Sequence, residues 1–158
     1  MIGGAGDLPK FYRPNVGLML IAADRRIFVG RRPKAPEAWQ MPQGGIDRGE
    51  TPVEAACREL GEEVGTTRAL LLRESAAWIS YEVPEAMRPA HWKGRWHGQA
   101  QKWFALAFTG TDADIDIAAH EREFDAWKWA PASELLEYIV PFKRTVYEAV
   151  LKEFADLV

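Results

Sequence analysis

Three glutamates, Glu59, Glu62 and Glu63, crowd into the stretch RELGEEVG at residues 58–65. Like charges four residues apart weaken a helix by roughly 0.2–0.5 kcal/mol per pair, and an interior glycine, here Gly61, costs about 0.8–1.0 kcal/mol against alanine. A segment selected only to fold would not be written this way. Carboxylates within one turn repel unless positive charge sits among them, and hard divalent cations take oxygen ligands in this manner. Mg2+ or Mn2+ suits the set better than Zn2+, because no histidine or cysteine accompanies it. The competing reading is a solvated acidic face with Arg58 as its ion-pair partner, and the carboxylates alone do not decide between the two.

The element that must carry them is well delimited. Thr51-Pro52-Val53-Glu54 supplies an N-cap, a proline at the first helical position and a glutamate that closes a capping box, and Gly65 supplies the stop. The predicted helix is 52–64. With Glu59 at zero and about 100° per residue, Glu62 falls at about −60° and Glu63 at about +40°, while Val53, Cys57, Leu60 and Val64 gather at about 100–160°. This predicts a carboxylate face beside an apolar face, with Cys57 in the core. Gly61 faces away from the carboxylates and is assigned to close packing or simple tolerance, outside the chemistry.

Upstream lies PQGGIDRGE, residues 42–50, whose paired glycines let the backbone come close to a ligand and whose second glycine turn folds the loop back on the helix. Joined together, the pattern reads Gly44, five residues, Glu50, seven residues, Arg58-Glu59-Leu60, one residue, Glu62-Glu63, one residue, Gly65. By this Nudix box, 44–65, the chain resembles the Nudix hydrolase family, with eight specified positions matched in 22 residues. Thr66 departs from the aliphatic residue usual there; it lies past the helix stop and bears on packing more than on chemistry. Five further stretches, YRPNVG (12–17), WQMPQGG (39–45), QKWF (101–104), EFDAWKW (123–129) and PFKRTVYEAVLKEFA (141–155), are similar to the bacterial RNA pyrophosphohydrolase branch, also described as dinucleoside polyphosphate hydrolases.

The resemblance implies a Nudix-type α/β/α sandwich and metal-dependent hydrolysis of a nucleoside polyphosphate linkage by water attacking phosphorus. The implied substrate is a 5′-triphosphate RNA end, converted to a 5′-monophosphate, with a dinucleoside polyphosphate as the alternative. Glu59, Glu62 and Glu63 are then ligands of two or more Mg2+ or Mn2+ ions, with the Gly44 carbonyl a further oxygen donor. Glu123 becomes another ligand or the base that orients water; its alternative is a plain loop acid beside Glu121 and Asp125. Arg58 orients Glu59, and Glu50 braces the loop. Arg13, Arg32, Phe142 and Lys143 match positions near the substrate's 5′ end, and Gln99 or Gln101 matches a base contact. For Phe142 a place in the core is the equal alternative, since it opens the apolar stripe of the last helix.

Stepping outward, 158 residues with 47% hydrophobic and 27% charged content suit one globular domain over 11–155, preceded by a lead-in of residues 1–10. The longest apolar run, Val16 to Ala23, is far below the ~20 residues needed to cross a bilayer. No secretory pattern opens the chain, so the cytoplasm is its expected address. The single cysteine excludes an internal disulfide and a thiolate metal cage. A net charge of −3 excludes a DNA-coating surface, leaving any RNA contact local. A monomer is assumed. Residues 88–102 carry Arg88, Lys93, Arg95 and Lys102 with no acid, interleaved with Trp92 and Trp96, a mix suited to phosphates and bases; a solvated basic loop is the alternative. His91 and His97, without metal-ligand company, read as surface or hydrogen-bonding residues.

Strand-like runs predict strands at 15–21, 27–31, 69–83 and 100–110, and alternation predicts one at 124–130, with loops at 33–51, 84–99 and 111–122. The spacing Phe142, Val146, Val150, Phe154 predicts an amphipathic helix. Trp78, Trp127 and Trp129 are assigned to the core, and Trp39, Trp92, Trp96 and Trp103 to polar or Gly-rich surroundings. Strands around two main helices give an α/β (α+β) sandwich with helices flanking a mixed sheet.

Overall fold

The computed structural model describes residues 8–158; the first seven residues of the expected lead-in lie outside the described ones. Strand β1 (Tyr12–Ile21) organises the rest. Val16, Leu18 and Leu20 enter one apolar cluster while Met19 and Ile21 enter another, as period-two geometry requires of a strand buried on both faces. Around it lie β2 (Ile27–Arg31), β3 (Trp39–Gln40), β4 (Gln43–Gly45), β5 (Ala69–Glu74), β6 (Ile79–Glu82), β7 (Gly98–Phe108) and β8 (Ala126–Ala130). The sheet order is β3-β2-β1-β7-β5, with β4 on β1, β6 on β7 and β8 on β2. The β1/β7 pair is parallel, from Tyr12↔Gly98 to Ile21↔Ala107, and its neighbours are antiparallel. That makes the sheet mixed.

Helices cover both faces. Helix α1 (Pro52–Val64) lays Ala55, Ala56, Leu60 and Val64 against Val16, Leu18, Phe28 and Phe104. On the other face α2 (Leu135–Tyr138) and α3 (Arg144–Glu153) bring Leu135, Val146, Tyr147 and Val150 against Met19, Trp103 and Ala105. This is the expected α/β/α sandwich. Helix α1 begins and ends where the sequence places it: Thr51 and Glu54 form the capping box, and Gly65 closes the helix at φ 83°. The Tyr147 hydroxyl accepts the Met41 N–H at 2.7 Å and the Leu18 N–H donates to the Pro42 carbonyl at 2.9 Å. Both bonds fix the chain just before β4.

Several expectations are corrected. The long strand at 69–83 is two strands on β7, separated at Ser75–Trp78, where Ser75 takes over local bonding to Trp103 and Ala77. The loop 33–51 contains β3 and β4, the strand at 124–130 starts at Ala126, and the last helix is a 3-10 turn at 141–143 followed by α3. Trp103 is fully buried and Trp92 nearly so, whereas Trp127 and Trp129 are half-buried and stack around Phe28 and Phe108. Cys57 is exposed, and Val53 is 39% exposed. The buried face of α1 is rotated from the predicted one toward Glu59 and Glu63.

Gly61 has room for a methyl: a Cβ there meets only Thr67 Cγ2 at 3.5 Å, ordinary contact. Gly61→Ala is therefore expected to raise unfolding free energy by about 0.5–1 kcal/mol without loss of turnover, measured by denaturant titration beside an activity assay.

Candidate functional site

On α1 the carboxylates do not stand beside the core; they are in its face. Glu59 is 8% and Glu63 7% exposed, as buried as the apolar residues around them, while Glu62 is half-buried. A buried carboxylate must be paired or hydrogen-bonded. Glu63 Oε2 accepts the Gln43 N–H at 3.1 Å. Glu59 Oε1 accepts from Arg58 Nη1 at 2.8 Å.

Arg58 does more than serve one carboxylate. Its Nε and Nη2 donate to the two oxygens of Glu50 at 2.8 and 2.9 Å, and Nη2 also donates to the Gly45 carbonyl at 2.8 Å. Its Nη1 reaches Glu62 Oε2 at 3.2 Å. Glu50 in turn accepts the Asp47 N–H at 2.9 Å. The guanidinium fork thus ties the 44–50 loop to the helix, the bidentate geometry that arginine favours. Arg58 pulls the Glu50 carboxyl down to about 2, with the Asp47 N–H assisting.

Gly44 lies directly against the Glu59 carboxylate: a Cβ at Gly44 would occupy the position of its carbon and oxygens. Gly45 holds the same relation to the Arg13 guanidinium. The paired glycines are there for close approach.

Burial raises the pKa of Glu59, opposed by Arg58 and assisted by the charges of Glu62 and Glu123. Burial pushes Glu63 well above the ordinary carboxylate range, reinforced by Glu59 and Glu123 and opposed by the Gln43 N–H and Arg32. Placing further positive charge among them would favour their ionised forms. Among the described residues no three His, Cys, Asp or Glu side chains already stand as a metal-holding group. Arg58 instead supplies the positive charge between Glu59 and Glu62. The donors are all oxygen, and Gly44 leaves the Glu59 carboxylate its place, so the residues present fit a hard divalent cation.

All of this opens into one cleft of about 560 Å³. It is lined by Gly44, Glu59, Glu62, Glu63 and Glu123, and also by Arg13, Arg32 and Gln99 from the expected substrate set. Glu123 is exposed and pairs with Arg32 at 3.4 Å. Arg13 donates to Gln99 at 3.4 Å, and Gln99 donates to the Tyr81 hydroxyl at 2.7 Å. Gln101, Phe142 and Lys143 are not in the lining. Gln101 spends its amide on Asn15, Gln43 and the Trp103 indole. Phe142 packs on Tyr81 with ring centroids 6.1 Å apart. Lys143 is 7% exposed and donates to Gln43 Oε1 at 3.2 Å.

The basic stretch 88–102 is dispersed. Arg88 is bonded to Val83 and Glu82 and Lys102 to Ser75 and Glu74, while Arg95 stacks on Trp96 at 4.5 Å. Asn15, Gln40, Gln43, His91, His120 and Glu121 line the cleft without having been predicted, and Trp92 lines it as a member of the 88–102 stretch assigned to phosphates and bases. Gln43 had a signal in its place beside Gly44. The two histidines had none, because only the fold brings their turns to the cleft.

A NUDIX domain model matches residues 11–150. An RNA pyrophosphohydrolase of Rhodospirillum rubrum is 57% identical over 151 residues, covering 96% of this chain and 90% of that protein. One of Rickettsia bellii is 51% identical over 148 residues, covering 93% and 92%. Among solved structures, a C. elegans Ap4A hydrolase binary complex superposes with a TM-score of 0.66 at 18% identity, covering 91% of this chain and 98% of that one. The E. coli dihydroneopterin triphosphate pyrophosphohydrolase gives 0.61 at 24%, covering 89% and 97%. These two likenesses speak to the fold alone.

Lys143 carries a pH consequence. Burial, with the charge of Arg32 adding, lowers its pKa from the ordinary 10.5 to about 8, against the pull of Glu63. Below pH 8 the fold must hold the charged amine, so the penalty is fully present. Between pH 8 and 10.5 the unfolded chain binds the extra proton and stability rises with pH; above 10.5 the penalty is gone. Lys143→Met is therefore expected to be more stable than wild type at pH 7 by about 3 kcal/mol at most, with the gap closing toward pH 10.5, as read by denaturant titrations across pH.

Proposed function

This chain belongs to the Nudix hydrolase family, and on that premise we propose that it is an RNA 5′ pyrophosphohydrolase, converting 5′-triphosphate ends to 5′-monophosphates. The observation that carries the reading is one cleft lined both by Glu59, Glu62, Glu63 and Glu123 and by Arg13 and Arg32: acid for cations and cation for phosphate in the same space. The 57% identity to an RNA pyrophosphohydrolase over nearly the whole chain supports the choice of RNA. All these groups come from one chain, so a monomer suffices. A cytoplasmic address follows from an RNA substrate and agrees with the exposed free thiol of Cys57.

In this reading Glu59, Glu62, Glu63, Glu123 and the Gly44 carbonyl would hold two or more Mg2+ ions, or Mn2+. When bound, such ions neutralise phosphate oxygens and lower the pKa of water. The protein's own part is positioning. Arg58 fixes the Glu59 carboxylate and the loop carbonyl of Gly45 together, and the Gln43 N–H fixes Glu63. Glu123, exposed and paired with Arg32 at 3.4 Å, has orienting an attacking water as its alternative role. Arg13 and Arg32 pair with the polyphosphate, and Gln99, already turned by Tyr81 and Arg13, stands for a base contact. Lys143 acts from behind Gln43, and Phe142 through Tyr81.

A dinucleoside polyphosphate is the competing substrate, since its tail offers the same phosphates. A catalytically silent nucleotide sensor is a different class, disfavoured by an intact set of box acids. One preparation with Mg2+ should be given 5′-triphosphate RNA and diadenosine tetraphosphate side by side. The expected result is a large preference in kcat/KM for the RNA, abolished by Glu62→Gln in a correctly folded protein. A preference for the dinucleotide moves the assignment to the competing substrate, and full turnover by Glu62→Gln refutes the ion-holding role.

A further inference from the structure

Trp92 is 5% exposed and part of the apolar cluster on the α3 side of the sheet, yet its indole nitrogen has no hydrogen-bond partner. Among the described residues it is the only buried side-chain polar atom so placed. The contrast lies within the same chain: the Trp103 indole donates to Gln101 at 3.0 Å and that of Trp129 to Asp112 at 2.9 Å. A buried donor without an acceptor is costly and calls for a cause. Trp92 also lines the cleft, together with Arg13, Gln99 and the box carboxylates.

An indole N–H only donates, so its missing partner is an acceptor atom. We propose that Trp92 is a binding residue of the cleft whose indole N–H donates to the 5′-terminal nucleotide of the substrate, at a phosphate oxygen or at an acceptor of the nucleoside. The proposal rests on the nucleotide reading of the cleft given above. Arg13 in the same lining draws anionic oxygens into the cleft and makes the phosphate the favoured partner. The nitrogen is covered before substrate arrives, so a small turn of the ring must precede the bond. Trp92 ends a 3-10 turn, and Lys93 and Gly94 follow at φ 52° and 75°, so the ring sits on a short turn and not within a strand or a long helix. Base stacking alone would not need the N–H, and a purely packing role would favour a residue without one.

Trp92→Phe keeps a ring and removes the donor. For 5′-triphosphate RNA its KM is expected to rise roughly tenfold, with kcat within about twofold and a melting temperature no lower than wild type. An unchanged KM overturns the proposal. A second measurement does not depend on the variant folding: the Trp92 indole N–H resonance of the wild-type protein, assigned through its own backbone. It should move downfield with a non-hydrolysable ATP analogue at saturation; no movement overturns the proposal. The same shift with inorganic tripolyphosphate places the acceptor on phosphate, and with adenosine on the nucleoside. If the analogue moves the resonance while triphosphate RNA is not hydrolysed, the RNA reading fails and Trp92 stands as a nucleotide contact.

Discussion

The Arg58 guanidinium is the joint of this molecule. One planar group binds Glu50, Glu59, Glu62 and the Gly45 carbonyl, and so joins loop, helix and carboxylate set into a single rigid piece. Its planar fork with several donors is what lets one residue do this; a lysine would offer a point charge and could not hold the same partners in fixed directions. Without it, Glu59 would be a buried acid against Gly44 with no counter-charge, and the 44–50 loop would have no tie to the helix that it must face.

The surrounding fold exists to support that arrangement at a cost to itself. Helix α1 turns Glu59 and Glu63 toward the sheet, where alanine or leucine would stabilise more. The cost is limited by small residues: Gly44 and Gly45 on β4 leave space for the Glu59 and Arg13 side chains. β4 is held in place by pairing with β1 from Asn15↔Gly45 to Gly17↔Gln43, and β1 is held from both sides by the two cores. The chain entering β4 is pinned by Tyr147 through Met41. Stability collected in the two apolar layers is thus spent at their meeting point, as is common at functional sites.

Much of this was legible in the sequence, and unevenly so. The ends of α1 were readable because caps are local: Thr51, Pro52, Glu54 and Gly65 act within a few residues of themselves. Strand β1 was readable as a short continuous apolar run that begins at Val16. The orientation of α1 was not, because Val53 and Cys57 look apolar in a helical projection while only the sheet decides which side is covered. Nor could the sequence show that Lys102 and Arg88 are consumed inside the protein, or that Trp92 and Trp103 are buried. Those facts depend on β7 running beside β1 and on the 84–97 segment folding back, contacts between residues 80 or more apart in part. The acid set and its glycines were legible because their chemistry is written in one continuous stretch; Glu123, more than 50 residues away, was found only through family likeness.

The burial of charge on α1 can be tested directly by following thermal unfolding of wild type and Glu63→Gln with and without Mg2+. If Glu63 is kept buried for a cation, the variant without Mg2+ unfolds above wild type, because an amide still accepts the Gln43 N–H and carries no charge. Mg2+ then raises the wild-type midpoint by several degrees, as ligand binding to the folded state must, and leaves the variant unmoved. A variant that melts below wild type without the ion, and still gains the full Mg2+ increment, would contradict the assignment of this helix face to cation binding.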